Sequence, residues 1–128
     1  FGIVQMDDST IIRVARAKTP RDTLLIQACV PPAGSAVMVM EGSCDSLLSV
    51  VGEVAREAIK ANPEAGVLLS FSCAMRARIM KERTPEEARI LQAAAGEVVV
   101  AGIYCCGEFA RTAGTLGTHN ATLTVLAL

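Results

Sequence analysis

Basic clusters, metal-binding cysteine pairs and long apolar runs are all missing from this sequence, and aromatic residues are few. Twelve Lys and Arg are spread along 128 residues against thirteen Asp and Glu, for a net charge of −1. With an isoelectric point near 5.8, nothing is basic enough to suggest a nucleic-acid partner, whose phosphate backbone calls for clustered cations. No apolar run reaches the roughly 18 residues of a membrane helix. The longest, from Val98 to Cys106, contains Gly102 and reads as a strand. The start carries neither a basic region nor an initiating Met, so it is not read as a signal peptide. "FGIVQ" reads as a chain entered midway, and a fragment of a longer protein is expected.

The five cysteines, Cys29, Cys44, Cys73, Cys105 and Cys106, form no CxxC pair, and their number is odd. That argues against a secreted disulfide framework and for free thiols in a reducing, cytoplasmic compartment. Repeats, low-complexity stretches and linkers are missing too. The expectation is one domain over residues 1–128, large enough to bury a core.

What is abundant is aliphatic. Hydrophobic residues make up 52% of the chain and aromatic ones 3%. The excess over an ordinary soluble domain fits either a tight aliphatic core or a face buried against another domain or another copy.

Turn signals at Asp7-Asp8-Ser9, Thr19-Pro20-Arg21-Asp22 and Pro31-Pro32-Ala33-Gly34 divide strands at 10–16, 23–29 and 35–41. Close spacing favours antiparallel pairing. Residues 45–61 carry Leu47, Leu48, Val51, Val54, Ala55, Ala58 and Ile59 on one helical face, with Asp45 or Ser43 as cap and Asn62-Pro63 as stop. A buried strand follows at 65–73 and a helical turn at 74–81. A second helix spans 84–96, with Thr84 as N-cap, Pro85 at the first position, Glu87 completing a capping box, and Gly96 closing it. Strands at 98–106 and 119–128 complete the chain. The predicted class is α+β: a mixed, largely antiparallel sheet with about two main helices packed on it.

The chemistry concentrates where strands end. In "LLSFSCAMRAR" the apolar strand breaks into Ser72, Cys73 and Ala74, and then Arg76 and Arg78. Small residues at a strand's carboxyl end, a following helix start and a planar guanidinium together suit a carboxylate or phosphate. "YCCGEF" ends the next long strand alike: Gly107 allows a bend and Glu108 follows. If the strands are neighbours, Arg76 and Glu108 could hold a zwitterion between them, or pair with each other as a structural ion pair. His119 is the single histidine. With Cys105 and Cys106 it makes a poor zinc site, since adjacent cysteines rarely share one tetrahedral ion and a fourth ligand is missing. Cys73 beside a helix start, with His119 as base, is the one arrangement for a cysteine-dependent enzyme. A buried strand cysteine is the commoner reading, so no catalysis, metal or cofactor is expected.

Three segments in order, "SCAMR", "AGIYCCGEF" and "HNATLTVLAL", resemble the C-terminal half of the FIST sensory domain, as do "FGIVQ", "PPAGSAVMVMEG" and "CDSLL". The resemblance covers essentially the whole chain. Ser72, Cys73 and Arg76 match the family's first motif; Gly102, Tyr104, Gly107 and Glu108 match the second; His119, Asn120 and Thr122 match the third. Cys105-Cys106 stand where the family often has Thr-Tyr, which changes the polarity of a pocket there. The resemblance implies an intracellular signalling module that binds a small ligand such as an amino acid, joined to an N-terminal FIST half and to output domains. The ligand-binding residues it implies are Ser72, Cys73, Arg76, Tyr104, Gly107, Glu108, His119 and Asn120.

Overall fold

The computed structural model describes residues 2–4, 10–26, 31–112 and 115–128, with the backbone alone at Val4, Thr10, 108–112 and 115–118. The periodic segment read as one helix over 45–61 forms two. Helix α1 is Cys44–Ser49 and α2 is Val51–Ala61, separated at Val50. Ser43 caps α1: its hydroxyl accepts from the Ser46 amide, and the Ser46 hydroxyl accepts from the Ser43 amide. This reciprocal pair satisfies two backbone donors that a helix start otherwise leaves open.

Strands β1 (Gly2–Val4), β2 (Thr10–Ile12) and β5 (Val37–Met38) form one small antiparallel sheet in the order β2-β1-β5. Strands β3 (Ala15–Lys18) and β4 (Leu24–Ile26) form a separate antiparallel pair. The run expected at 10–16 is thus split at Arg13-Val14. Of the run at 23–29 the strand keeps Leu24–Ile26, and residues 27–30 lie outside the described residues.

The central sheet has the order β10-β6-β7. Strand β6 is Val67–Cys73, β7 is Val99–Cys105 and β10 is Leu123–Ala127. β6 and β7 run parallel, joined by a crossover through helix α3 (Ala74–Met80), a short 3₁₀ turn and helix α4 (Thr84–Ala95). β10 returns antiparallel to β6. A hairpin absent from the sequence expectation, β8 (Glu108–Thr112) with β9 (Thr115–His119), precedes β10.

One face of this sheet is covered. Leu68 at 0% exposure packs with Val51 and Ala55 of α2 and Leu91 and Ala95 of α4, flanked by Val100, Leu123, Val125 and Ala127. Along β10, Leu123, Val125 and Ala127 face this core and Leu126 faces away. The opposite face is apolar and open: Val99, Ile103, Leu126 and Leu128 are 49–61% exposed, and Phe71 is 37% exposed. The aliphatic excess therefore fills a small core and also paints an uncovered sheet face.

Candidate functional site

Parallel register places Ser70 beside Gly102, Ser72 beside Tyr104 and Cys73 beside Cys105. The strands are neighbours, as the sequence reading required. Their carboxyl ends face α3 and α4, so Ser72, Arg76 and Tyr104 meet under the crossover.

They meet on a residue the sequence reading had assigned elsewhere. Glu87 does not close a capping box. Arg83 occupies the N-cap position of α4, and the Thr84 hydroxyl donates to the carbonyls of Lys81 and Ala77. Glu87 instead lies on the inward face of α4 with Leu91 and Ala95, at 2% exposure. Arg76, also 2% exposed, donates to Glu87 Oε1 from Nε at 2.8 Å and from Nη2. The second carboxylate oxygen accepts from Ser72 Oγ at 2.7 Å and Tyr104 OH at 2.8 Å. Arg76 Nη2 donates further to the carbonyl of Leu47 in α1 at 3.0 Å. Among the described residues Arg76 pairs with Glu87; the side chain of Glu108, the partner weighed from the sequence, lies outside them.

Burying two opposite charges costs several kcal/mol each before they attract. Four donors on one carboxylate offset that cost, because charge-assisted bonds in a dry interior are the strong ones. The tyrosine feels it. Tyr104 is only partly buried, 42% exposed, and this partial desolvation first, then the bond to Glu87, push its phenol above the usual range. A pocket of about 120 Å³ borders this cluster, lined by Ser70, Ser72, Glu87 and Tyr104 among others. Its charged wall is a carboxylate already saturated with donors.

Arg83 marks the outer side of the same crossover. It donates to Asp45 of α1 at 2.6 Å and to Glu86 of α4 at 2.8 and 2.9 Å. Those bonds hold the Glu86 carboxyl below its usual range and raise Arg83. The ions are exposed, so solvent screening leaves them little weight in stability.

The remaining expected site residues are spread out. Cys73, 5% exposed, is the N-cap residue of α3. Cys105 donates weakly from Sγ to the Ser72 carbonyl at 3.6 Å. Gly107 links β7 to β8. His119 ends β9 opposite Glu108 in the ladder, and His119 and Asn120 are 5% and 4% exposed. Asn120 donates from Nδ2 to the His119 carbonyl at 3.1 Å. Among the described residues, no group of three His, Cys, Asp or Glu could hold a metal ion.

A second cavity, about 380 Å³, lies against α1. Ile12, Arg13 and Val14 from the β2–β3 junction line it, with residues 39–42, Ser46 and Leu47 of α1, Ile79 of α3 and Ala121. Arg13 is 5% exposed and donates from Nη1 to the Ile12 carbonyl at 2.9 Å. Sequence reasoning gave Glu87 a capping role instead of a buried one and passed over Arg13. For Glu87 a signal existed: it stands at i, i+4, i+8 with Leu91 and Ala95, which faces it inward. Arg13 sits in a run that reads as a plain strand and carried none.

Comparison with known proteins follows the same lines. Residues 1–111 match the family described as the FIST C domain. That match takes in the Ser72–Arg76 and Gly102–Glu108 segments, and the His119–Thr122 segment lies beyond it. Searches of curated proteins and of solved structures found no match. Among the described residues no helix is long and apolar enough to cross a membrane. The chain belongs to the FIST C domain family, a family of sensory domains in signalling proteins.

Proposed function

We propose that the domain is a non-enzymatic, cytoplasmic sensor that binds a small ligand, an amino acid or similar small carboxylate. It passes occupancy to an N-terminal FIST half and to attached output domains. The observation that carries this reading is the cavity of about 380 Å³. That volume falls within the range of about 300–1,000 Å³ typical of small-molecule sites, and its walls are mostly apolar with a few polar groups, as such sites require. The Arg76 cluster, in contrast, already holds an internal carboxylate, Glu87, so a ligand's carboxylate there would have to displace it.

The test is a thermal-shift screen against amino acids and small organic acids. A ligand at a hundred times its dissociation constant stabilises by about 2.7 kcal/mol. A saturable rise in melting temperature with at least one small carboxylate is the expected result. A screen in which none raises it sinks the reading.

A second reading has its own support. The open apolar face carrying Phe71, Val99, Ile103 and Leu126 suits an interaction module that packs on a partner domain, with the Arg76 ion pair purely structural. It predicts that Arg76→Ala lowers the melting temperature and that no small ligand raises it.

A further inference from the structure

We propose that Cys73 and Cys105 form a reversible intramolecular disulfide, a redox-responsive modification site at the carboxyl ends of β6 and β7. The site does not depend on the small-ligand reading. The two residues close the parallel ladder as its last in-register pair. In-register neighbours put their side chains on the same face of a sheet, and adjacent strands stand about 4.8 Å apart. A disulfide needs Cα atoms roughly 4.4–6.8 Å apart, so the pair is within reach with little movement of the strands. The Cys105 sulfur already leans across. It lies 3.6 Å from the Ser72 carbonyl oxygen, on the peptide that joins Ser72 to Cys73. Both thiols are free in this structure. A spacing at the short end of the range strains the bond, which sets it among disulfides that form and break readily rather than permanent ones.

Burial orders the two roles. Cys73 is 5% exposed, whereas Cys105 is half-buried. Cys105 is thus the thiol that a small oxidant meets, and Cys73 is the one that resolves the product. The co-reactant is a small-molecule disulfide, with glutathione disulfide as the probe. The Cys105 thiolate, its proton released to water, attacks one glutathione sulfur. A bond forms between them, the glutathione S–S bond breaks, and one glutathione thiolate leaves. The Cys73 thiolate, deprotonated likewise, attacks Cys105 Sγ, and the second glutathione leaves as a thiolate. The two protein thiols are oxidised by two electrons, and the two glutathiones so reduced take up the two protons. In a reducing compartment such a bond is a transient signal rather than a structural brace. It closes one residue from Ser72 and Tyr104, both of which donate to Glu87, so it ties together the strand ends on which the buried ion pair rests. Cys106 is exposed and lies past the end of the ladder, which makes it the competing thiol.

The experiment equilibrates the whole chain in glutathione buffers of stepped reduced-to-oxidised ratio. Remaining thiols are trapped by acid and alkylation, and the protein is digested with trypsin without reduction. Cys73 then falls in peptide 61–76, and Cys105 and Cys106 fall in peptide 90–111. The expected product is these two peptides joined, growing as the ratio falls and removed by dithiothreitol. Cys73→Ser and Cys105→Ser should each lower its yield at least tenfold, and Cys106→Ser should leave it unchanged. Should Cys73→Ser or Cys105→Ser fail to fold, the fragment spectrum of the wild-type product decides alone, because it assigns the linked sulfur to Cys105 or Cys106. A bond confined to peptide 90–111 is a Cys105–Cys106 bridge and overturns the assignment. Linkage through Cys29 or Cys44 overturns it too, as does glutathione left unresolved on Cys105. So do a link that survives in Cys105→Ser and thiols that stay free at the most oxidising ratio.

Discussion

Glu87 of α4 receives Arg76 of α3 through both Nε and Nη2, and each residue is 2% exposed. The pair joins two helices of the crossover, and its other bonds reach β6 through Ser72, β7 through Tyr104 and α1 through Leu47. Five elements therefore converge on one carboxylate–guanidinium contact. In a fold with a small aliphatic core, this buried polar knot sets how α3 and α4 seat on the sheet.

Removing one partner leaves the other charge buried alone. Glu87→Ala is expected to destabilise by about 3–5 kcal/mol, because Arg76 keeps its charge without its counterion. The double variant Arg76→Met/Glu87→Leu should lose far less. Urea denaturation of the two singles and the double measures it. Additive losses would show that the pair is not the unit of stabilisation.

Tyr104 is the single tyrosine, and tryptophan is absent, so phenolate absorbance near 295 nm reports one residue. Burial and the bond to Glu87 raise its pKa above the ordinary value of 10.0. The folded state thus favours the neutral phenol. The stability this contributes is fully present below about pH 10 and is lost as pH rises through the folded value. Native protein should show little phenolate at pH 10.5, whereas protein in urea is more than half ionised there. Identical titration curves in the two states would refute the Glu87 contact.

Gly102 is where the structure has no room for a side chain. A Cβ there would stand 1.9 Å from Ser70 Oγ and 2.7 Å from the Ser70 carbonyl. Gly102→Ala is expected to destabilise by about 1–3 kcal/mol, the usual range for overpacking. Ser70→Ala in the same chain should restore only part, since the carbonyl contact remains. Melting temperatures of the single and double variants test it, and full restoration would mean the backbone approach is not limiting.

Leu68 is the fully buried centre of the helix-facing side of the sheet. Leu68→Ala should cost about 2–5 kcal/mol by losing transfer energy and leaving a cavity. Phe71→Ala, on the open face of the same strand, should cost much less in the isolated domain. Chemical denaturation compares them, and equal losses would mean the outer face is covered in solution.

Much of the central unit was legible in the chain. The apolar runs read at 65–73 and 98–106 became β6 and β7 within two residues at each end, whereas the strand read at 119–128 keeps only Leu123–Ala127, because His119 ends β9 and a turn follows it. The inward set of Leu123, Val125 and Ala127 follows from period-two alternation, and the α2 face follows from its 3.6-residue period. The strands before residue 40 were less legible. Val14 and Ala15 continue the run after Ile11 and Ile12, yet the strand breaks at Arg13-Val14, where the half pairing with β1 and the half pairing with β4 enter different sheets. Propensity does not carry that choice.

By itself, the sequence determined that this is an α+β domain with an aliphatic core and two strand ends bearing Ser72, Arg76 and Tyr104, within the motifs of one family. Those features rest on local pattern: periodicity, turn chemistry and residue order, which act over a few positions. Tertiary structure alone decided the partner of Arg76. A guanidinium three residues past the end of a strand can meet any carboxylate that packing brings within about 3 Å. The crossover seats α4 so that Glu87, not a capping contact, is the nearest buried acid. Tertiary structure also decided that Arg13 lines a cavity, because that wall is assembled from segments near residues 12, 40, 47, 79 and 121. Contacts between segments so far apart in the chain come from the packing of whole elements, and no short stretch of residues encodes them.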